Sequence, residues 1–324
     1  MTESEGRARN ELPGSNSCPV AYPPGMAQPI AGRSRQIERS ALTALVPAAV
    51  LVPFWLAAIA VFWFPLWLIA GIPYWIVPSA WIGLGVLLFV PSVQVRVLSP
   101  FLGARLPSNA ELAVITPIWR DLTAAANLPQ YRYSIRMLDS DELNAFACGG
   151  HLVIVTTFAI KKLSASELSG VLAHELSHHI GLHTVALTLG HWMSLPVLLL
   201  ARVGFFLQNV ARAATDSFAS HSAALTAIGR VVAALLTAVS WVFLAALYAA
   251  DGLANIVGHG SEFDADRRAV RMGYGRPLAD ALRAVIRLGG GARPIGWKAR
   301  LAASHPPART RVARIEAMLR HPSR

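Results

Sequence analysis

The most uneven feature of the chain is where its charges are missing. From Ala41 through Val95 there are 55 residues without an Asp, Glu, Lys or Arg. As one helix this run would be about 80 Å long at ~1.5 Å per residue. A bilayer's hydrocarbon core is only about 30 Å thick, so the run predicts two crossings. Gly71, Pro73 and Pro78 offer the turn, giving spans over Leu42–Ala70 and Tyr74–Val90 with Trp and Tyr near their ends. Pro47, Pro53 and Pro65 make the first span irregular. Val231–Ala250 is a third apolar run, bracketed by Arg230 and Asp251. Thr184–Ala201 is a fourth, weaker because it carries His191 and Pro196 and is near the lower length limit for a span.

Cations set the expected orientation. Residues 1–40 carry five Arg, residues 91–183 seven Lys or Arg, and residues 251–324 fourteen, while 203–229 has only Arg212. An even number of spans puts the three rich segments on one side, which the positive-inside rule makes cytoplasmic. Four spans follow, and a multi-pass protein of the inner (plasma) membrane with its cation-rich segments facing the cytoplasm. Residues 1–40 are polar and rich in Pro, Gly and Arg, and read as a flexible cytoplasmic tail. A cleaved signal peptide would place its apolar stretch nearer the start.

Composition sharpens this picture. Of 324 residues, 54% are hydrophobic and 15% charged, too apolar for an ordinary soluble enzyme. The net charge of +11 lies beside long apolar runs, so an anionic membrane surface is the expected partner and nucleic acid is not. Two cysteines, Cys18 and Cys148, cannot build a disulfide scaffold.

Residues 164–183 read SASELSGVLAHELSHHIGLH. Ser164 followed by Glu167 is a capping box that starts a helix. Within it, His174-Glu175-Leu176-Ser177-His178 is an H-E-x-x-H pattern. Residues four apart share a helix face, so both imidazoles can reach one zinc ion. Glu175 lies one step round, placed to take a proton from water beside the ion. His179 and His183 repeat the spacing about 100° away, without a following Glu, and read as surface or membrane-interface histidines. His191 and His221 lie in or near apolar segments and read as structural.

A catalytic zinc takes three protein ligands and an open position. The segment GSEFDADRRAV, at 260–270, offers Glu262 and Asp266 on one helical face directly after the last span. Glu262 would complete the ligand set and Asp266 would accept an imidazole N–H. Against this stands a solvated acidic patch paired with Arg267 and Arg268, and spacing alone does not exclude Asp264. Upstream, NAFACGGHLVIVTT (144–157) predicts a strand over Leu152–Val155 after a Gly149-Gly150 turn. It is either a strand edge that can hold an extended peptide or an ordinary core strand. Ser304-His305-Pro306-Pro307 precedes a basic amphipathic stretch, in which His305 or Arg311 could stabilise an oxyanion. Cys148 invites a redox role, but a small buried thiol is the commoner case.

NAFACGG, VLAHELSHH, SEFDADRRAV and SHPPARTR, in that order, resemble the HtpX-like membrane zinc metalloproteases, in the larger family that includes CAAX prenyl endopeptidases. The resemblance spans Leu112–Met318 and implies one catalytic Zn2+ on His174, His178 and Glu262, with Glu175 as base. Asp266 falls on the family's aspartate after the ligand Glu, and His305 and Arg311 on its His-Pro and Arg positions. Cys148 stands where the family usually has Thr. The implied reaction is hydrolysis of peptide bonds in misfolded or membrane-associated proteins, as quality control. The alternatives are a CAAX-type prenyl-protein endopeptidase and a non-catalytic membrane zinc-binding scaffold.

The fold class expected is α+β and mostly helical, a zincin-like protease domain with a small sheet fused to about four transmembrane helices. Its parts are the tail (1–40), a membrane hairpin (41–95), a first protease segment with the HELSH helix (96–183), a second membrane pair (184–250) and a second protease segment (251–324). Helices are expected over Ala110–Ala126, Ser164–His183, Ser261–Met272, Pro277–Leu288 and Ala308–Leu319, and the sheet over Tyr131–Met137 and Leu152–Val155.

Overall fold

The computed structural model describes residues 43–218, 222–288 and 306–321. The chain is mostly helical, with one small mixed sheet. Helix α1 (Val46–Ala70) is apolar on all sides and stops where Gly71 takes a left-handed φ of 63°, its N–H donating to the Trp67 carbonyl. Helix α2 (Ile76–Leu87) has only 12 residues, about 18 Å of helix, too short to cross alone. A bend of 79° separates it from α3 (Pro91–Phe101). Val90 is extended because it precedes a proline, and Pro91 opens the new helix. The expected span over Tyr74–Val90 is therefore a broken one.

The next segment builds the sheet. Strand β1 (Ala104–Arg105) leads into α4 (Asn109–Ala125), which starts with a capping box of Ser108 and Glu111. Strands β2 (Ser134–Leu138), β3 (Ala145–Cys148) and β4 (Leu152–Thr156) follow. The order is β1-β2-β4-β3, with β2 and β4 parallel and the outer pairs antiparallel. All five residues of β4 are buried, so the strand read at Leu152–Val155 is a core strand. The outer strand near the H-E-x-x-H segment is β3, which the sequence pattern missed.

After α5 (Thr157–Lys162) comes α6 (Ala165–Ile180), the HELSH helix, with the expected capping box of Ser164 and Glu167. It ends before His183, because Leu182 adopts a positive φ of 61° and the chain turns. Helix α7 (His183–Phe218) then runs well past Ala201. Helix α8 (Ala223–Arg271) returns alongside it as one 49-residue rod. The stretch expected as a separate helix over Ser261–Met272 is the end of α8. Gly204 lies against Ser240 and Gly229 against Thr215, which fixes the antiparallel register.

Among the described residues three helices, α1, α7 and α8, are long and apolar enough to cross a membrane, or four spans if the bent α2–α3 pair counts as one. They pack through Leu51, Trp55, Ile59, Val197, Ala201, Phe243 and Leu247. Their other faces expose Leu68, Leu235 and Trp241, as lipid-facing helices do.

Helices α9 (Gly275–Arg287) and α10 (Ala308–Arg320) complete the fold. One core joins Leu122, Met137, Val153, Val155, Leu172, Leu176, Leu278 and Ile315. Helix α6 crosses the start of α9 so closely that a Cβ on Gly170 would lie 2.2 Å from the Leu278 nitrogen.

Candidate metal centre

Helix α6 carries His174 and His178 one turn apart, and both are buried. Their Nε2 atoms lie 3.2 Å from each other. Helix α8 brings Glu262 across, with Oε2 3.2 Å from His174 Nε2 and Oε1 3.1 Å from His178 Nε2. Among the described residues these three form the group of His, Cys, Asp or Glu side chains that could hold a metal ion. The spacing fits: a tetrahedral ion with bonds of about 2.0–2.1 Å has ligand atoms ~3.4 Å apart. The donor chemistry fits too, since two imidazoles and a carboxylate suit zinc and several other divalent metals.

Asp266, one turn beyond Glu262, faces the outer side of His174. Its Oδ1 is 2.9 Å from His174 Nδ1. When the ring is neutral, as a metal ligand must be, a proton held on Nδ1 leaves the Nε2 lone pair turned toward Glu262. Arg311 enters from α10 and is buried. Its Nε and Nη2 donate to Asp266 at 2.9 and 2.6 Å, a bidentate fork. Its Nη1 is 3.4 Å from Glu262 Oε2. Its Nη2 also lies 3.1 and 3.2 Å from His174 Nδ1 and Nε2, so Arg311 touches the imidazole as well as the two carboxylates. Burial and Arg311 lower the His174 pKa, but Glu262 and Asp266 outweigh them and hold it up at about 9. The excess negative charge that does this is what a dication would neutralise.

Glu175 is buried one step round α6, and its Oε2 accepts the Ala147 N–H of β3 at 3.0 Å. That N–H points away from β4, so the outer edge of β3 faces the helix that carries the base. Sequence patterns had no means of finding this contact, because the donor is backbone. They also passed over Gln94 and Thr188, which hold the turn after β3. The one available signal was a lone polar Gln inside the 55-residue uncharged run.

The other candidates sort themselves. Asp264 is partly exposed and pairs with Arg267 at 3.0 Å, the solvated fate considered for the whole acidic segment. Arg268 donates to the Ser177 carbonyl near the end of α6. His305 and His221 lie outside the described residues. His191 is exposed and bonds the Leu187 carbonyl of its own helix at 2.8 Å. His179 and His183 are not surface residues: both are buried, His179 under Leu152 of β4 and Tyr133, and His183 at the start of α7 with its ring 6.1 Å from that of His178. His179 Nε2 is 3.0 Å from the Leu152 carbonyl and its Nδ1 is 3.3 Å from Thr184 Oγ1. Burial drives the His179 pKa down to about 3 against the pull of that carbonyl, so the ring is a neutral strut. Burial likewise pushes the Cys148 thiol up to about 11, against a Thr188 hydrogen bond that lowers it. So little thiolate forms near neutrality that a redox role has no support.

Comparison with known proteins identifies the family. The model of peptidase family M48 matches residues 110–319. The chain is 27% identical over 223 residues to a protease HtpX homolog of Acidiphilium cryptum, covering 61% of this chain and 71% of that protein. It is 28% identical over 226 residues to a protease HtpX homolog of Chlorobium phaeobacteroides, covering 65% and 70%. Among solved structures, that of S. mikatae Ste24p aligns with 90% of this chain and 68% of its own, at 15% identity and a TM-score of 0.47. With 210 of its 324 residues matched by the family model, three membrane-length helices among the described residues and the H-E-x-x-H helix, the chain belongs to peptidase family M48 and is a membrane protease.

Proposed function

We propose that this membrane protease is a zinc-dependent endopeptidase with His174, His178 and Glu262 as its metal ligands and Glu175 as its general base. The observation that carries the reading is the convergence of both Nε2 atoms, 3.2 Å apart and each 3.1–3.2 Å from one of the Glu262 oxygens, from residues 84 apart in the chain (178 to 262). A zinc ion held there supplies polarisation of the scissile carbonyl and a more acidic water.

The remaining roles belong to the chain. Glu175 Oε2 is held by the Ala147 N–H. Its other oxygen takes the proton of the attacking water and returns it to the leaving nitrogen. Asp266 fixes the His174 tautomer, and Arg311 fixes Asp266 and Glu262 in turn. An extended peptide adds to the outer edge of β3 by main-chain hydrogen bonds. Cation-rich segments at 1–40, 91–183 and 251–324 orient the site toward the cytoplasm, with the first of these as a tail and the other two as halves of one protease unit. Substrates there are misfolded or membrane-associated proteins, and the role is quality control.

The test uses detergent-purified full-length chain. We expect about one zinc per chain by elemental analysis, and casein hydrolysis that a chelator stops and zinc restores. A prenylated C-terminal peptide serves as the contrasting substrate. Stoichiometric zinc without hydrolysis of either substrate would reduce the protein to a zinc-binding scaffold. Cleavage of the prenylated peptide alone would replace the quality-control role.

A further inference from the structure

We infer that Gln94 is a positioning residue: it ties the outer strand β3 to the membrane-proximal helix α3, and so sets the edge on which a peptide is held beside Glu175. The inference rests on the reading of the site as a peptidase centre.

Gln94 is only 1% exposed and opens the π turn Gln94–Leu98, just after the 79° bend. Its amide is fully used. Nε2 donates to the Leu88 carbonyl at 2.9 Å and to the Gly149 carbonyl at 2.9 Å, and Oε1 accepts the His151 N–H at 3.1 Å. Leu88 needs such a partner because the helix breaks behind it, leaving its carbonyl without a helical donor. That need accounts for one N–H. The second N–H and the oxygen reach 55 and 57 residues along the chain to the turn between β3 and β4.

The turn is shaped to receive them. Gly149 has φ +67°, and a Cβ there would lie 2.7 Å from Gln94 Nε2. From the opposite side the Gly149 N–H donates to Thr188 Oγ1 of α7 at 3.2 Å. The turn is thus gripped by α3 and α7, two of the helices that join the protease unit to the membrane segments. Two residues before Gly149, the Ala147 N–H holds Glu175 at 3.0 Å. A four-residue strand anchored this way transmits any shift of α3 to the substrate edge and to the base.

Two variants of the full chain in detergent test this: Gln94→Met, which keeps length and removes the amide, and Thr188→Val, which keeps shape and removes the hydroxyl. Each is compared with wild type for KM and kcat on an extended peptide, for zinc content, and for amide exchange over residues 145–151. For Gln94→Met we expect KM about tenfold higher with kcat within about threefold, since loss of a binding edge weakens ground and transition states alike. Exchange over 145–151 should quicken by about tenfold while α6 and zinc content stay unchanged. Thr188→Val should move both readouts the same way by less, and it carries the test alone if Gln94→Met does not accumulate. Wild-type KM and wild-type exchange in both variants would overturn the inference. So would lower kcat and zinc content at unchanged KM, which would make Gln94 a folding residue. If the wild type shows no zinc-dependent hydrolysis, the peptidase reading fails, and exchange over 145–151 still decides whether the tether exists.

Discussion

Helix α6 brings His174, Glu175 and His178 to the site and α8 brings Glu262 and Asp266, and the two sets are held there by different means. Helix α6 has 16 residues, a capping box at its start and a buried face of Leu168, Leu172 and Leu176. Everything that makes it a helix and turns its histidines is encoded within a few residues. Helix α8 has 49 residues, and Glu262 and Asp266 ride near the end of a rod whose charge-free part, Val231–Ala250, packs among α1 and α7. From Ala250 to Glu262 the rod advances about 18 Å at ~1.5 Å per residue. The carboxylates are therefore placed by membrane packing and by Arg311, which clamps both of them from α10. One half of the site is local and the other is delivered from a distance. That explains why a fork as strong as Arg311 on Asp266 is found here: the delivered half has no local device to fix its rotation.

Removing one group from each helix is the strongest way to break the comparison. Glu175→Gln on α6 should cut kcat by roughly 10²–10⁴ and leave bound zinc at the wild-type level, because only proton transfer is lost. Hydrolysis at the wild-type rate in that variant would remove the base assignment. Glu262→Ala on α8 should instead lose the metal, seen as a fall in zinc content after dialysis with the fold retained by circular dichroism. Asp266→Asn sits between these outcomes. It keeps the contact with Arg311 in shape but weakens the hold on the His174 tautomer, so zinc affinity should drop by about 10–100-fold in a competition titration. Unchanged affinity would show that Arg311 and Glu262 alone fix the delivered half.

The same contrast explains what could be read from the sequence. His174, Glu175 and His178 were legible because a spacing of four is a statement about one helix. Glu262 and Asp266 were legible as a pair on one face, but the exclusion of Asp264 was not. It depends on which way α8 is rotated against α6, and no local pattern carries that rotation. His179 and His183 show the same limit. The angle of His179 round α6 was right and its surroundings were wrong, since Leu152 of β4 and Tyr133 cover it, while His183 lies past the Leu182 turn at the start of α7. Strand β3 escaped because four residues, Ala145–Cys148, are too few to show an alternation. The uncharged run gave the membrane hairpin but not its break, which lies in the geometry of Val90 and Pro91.

A smaller effect sharpens the local side of the comparison. Gly170 lets α6 press against the backbone of α9, where an added Cβ would meet the Leu278 nitrogen at 2.2 Å. Backbone cannot step aside as a side-chain end can, so Gly170→Ala should cost roughly 1–3 kcal/mol of stability. Thermal unfolding in detergent, followed by tryptophan fluorescence, measures it. A melting temperature equal to wild type would mean that α6 and α9 are free to slide, and that α6 is less self-contained than its sequence suggests.

The smallest effects come from the two N-caps, and they separate the helices most cleanly. Both helices begin at a serine. Ser164 accepts the Glu167 N–H at 3.2 Å, and Glu167 returns the bond to the Ser164 N–H at 2.8 Å. Ser222 accepts the Leu225 N–H at 3.3 Å without a reciprocal partner. Either Ser→Ala change should cost about 1 kcal/mol or less by loss of the cap. The consequences differ because the distances differ. Ser164 is ten residues, about 15 Å of helix, from His174, so fraying at that end loosens the turns that carry the ligands. Ser222 is 40 residues from Glu262, and the helix between is held against α7 and α1, so fraying there dissipates before the site. Ser164→Ala should therefore lower zinc affinity slightly along with stability, while Ser222→Ala should leave zinc affinity at the wild-type value. Equal losses of affinity in the two variants would mean that α8 transmits strain along its whole length, and that the delivered half of the site is coupled to the far end of the membrane hairpin.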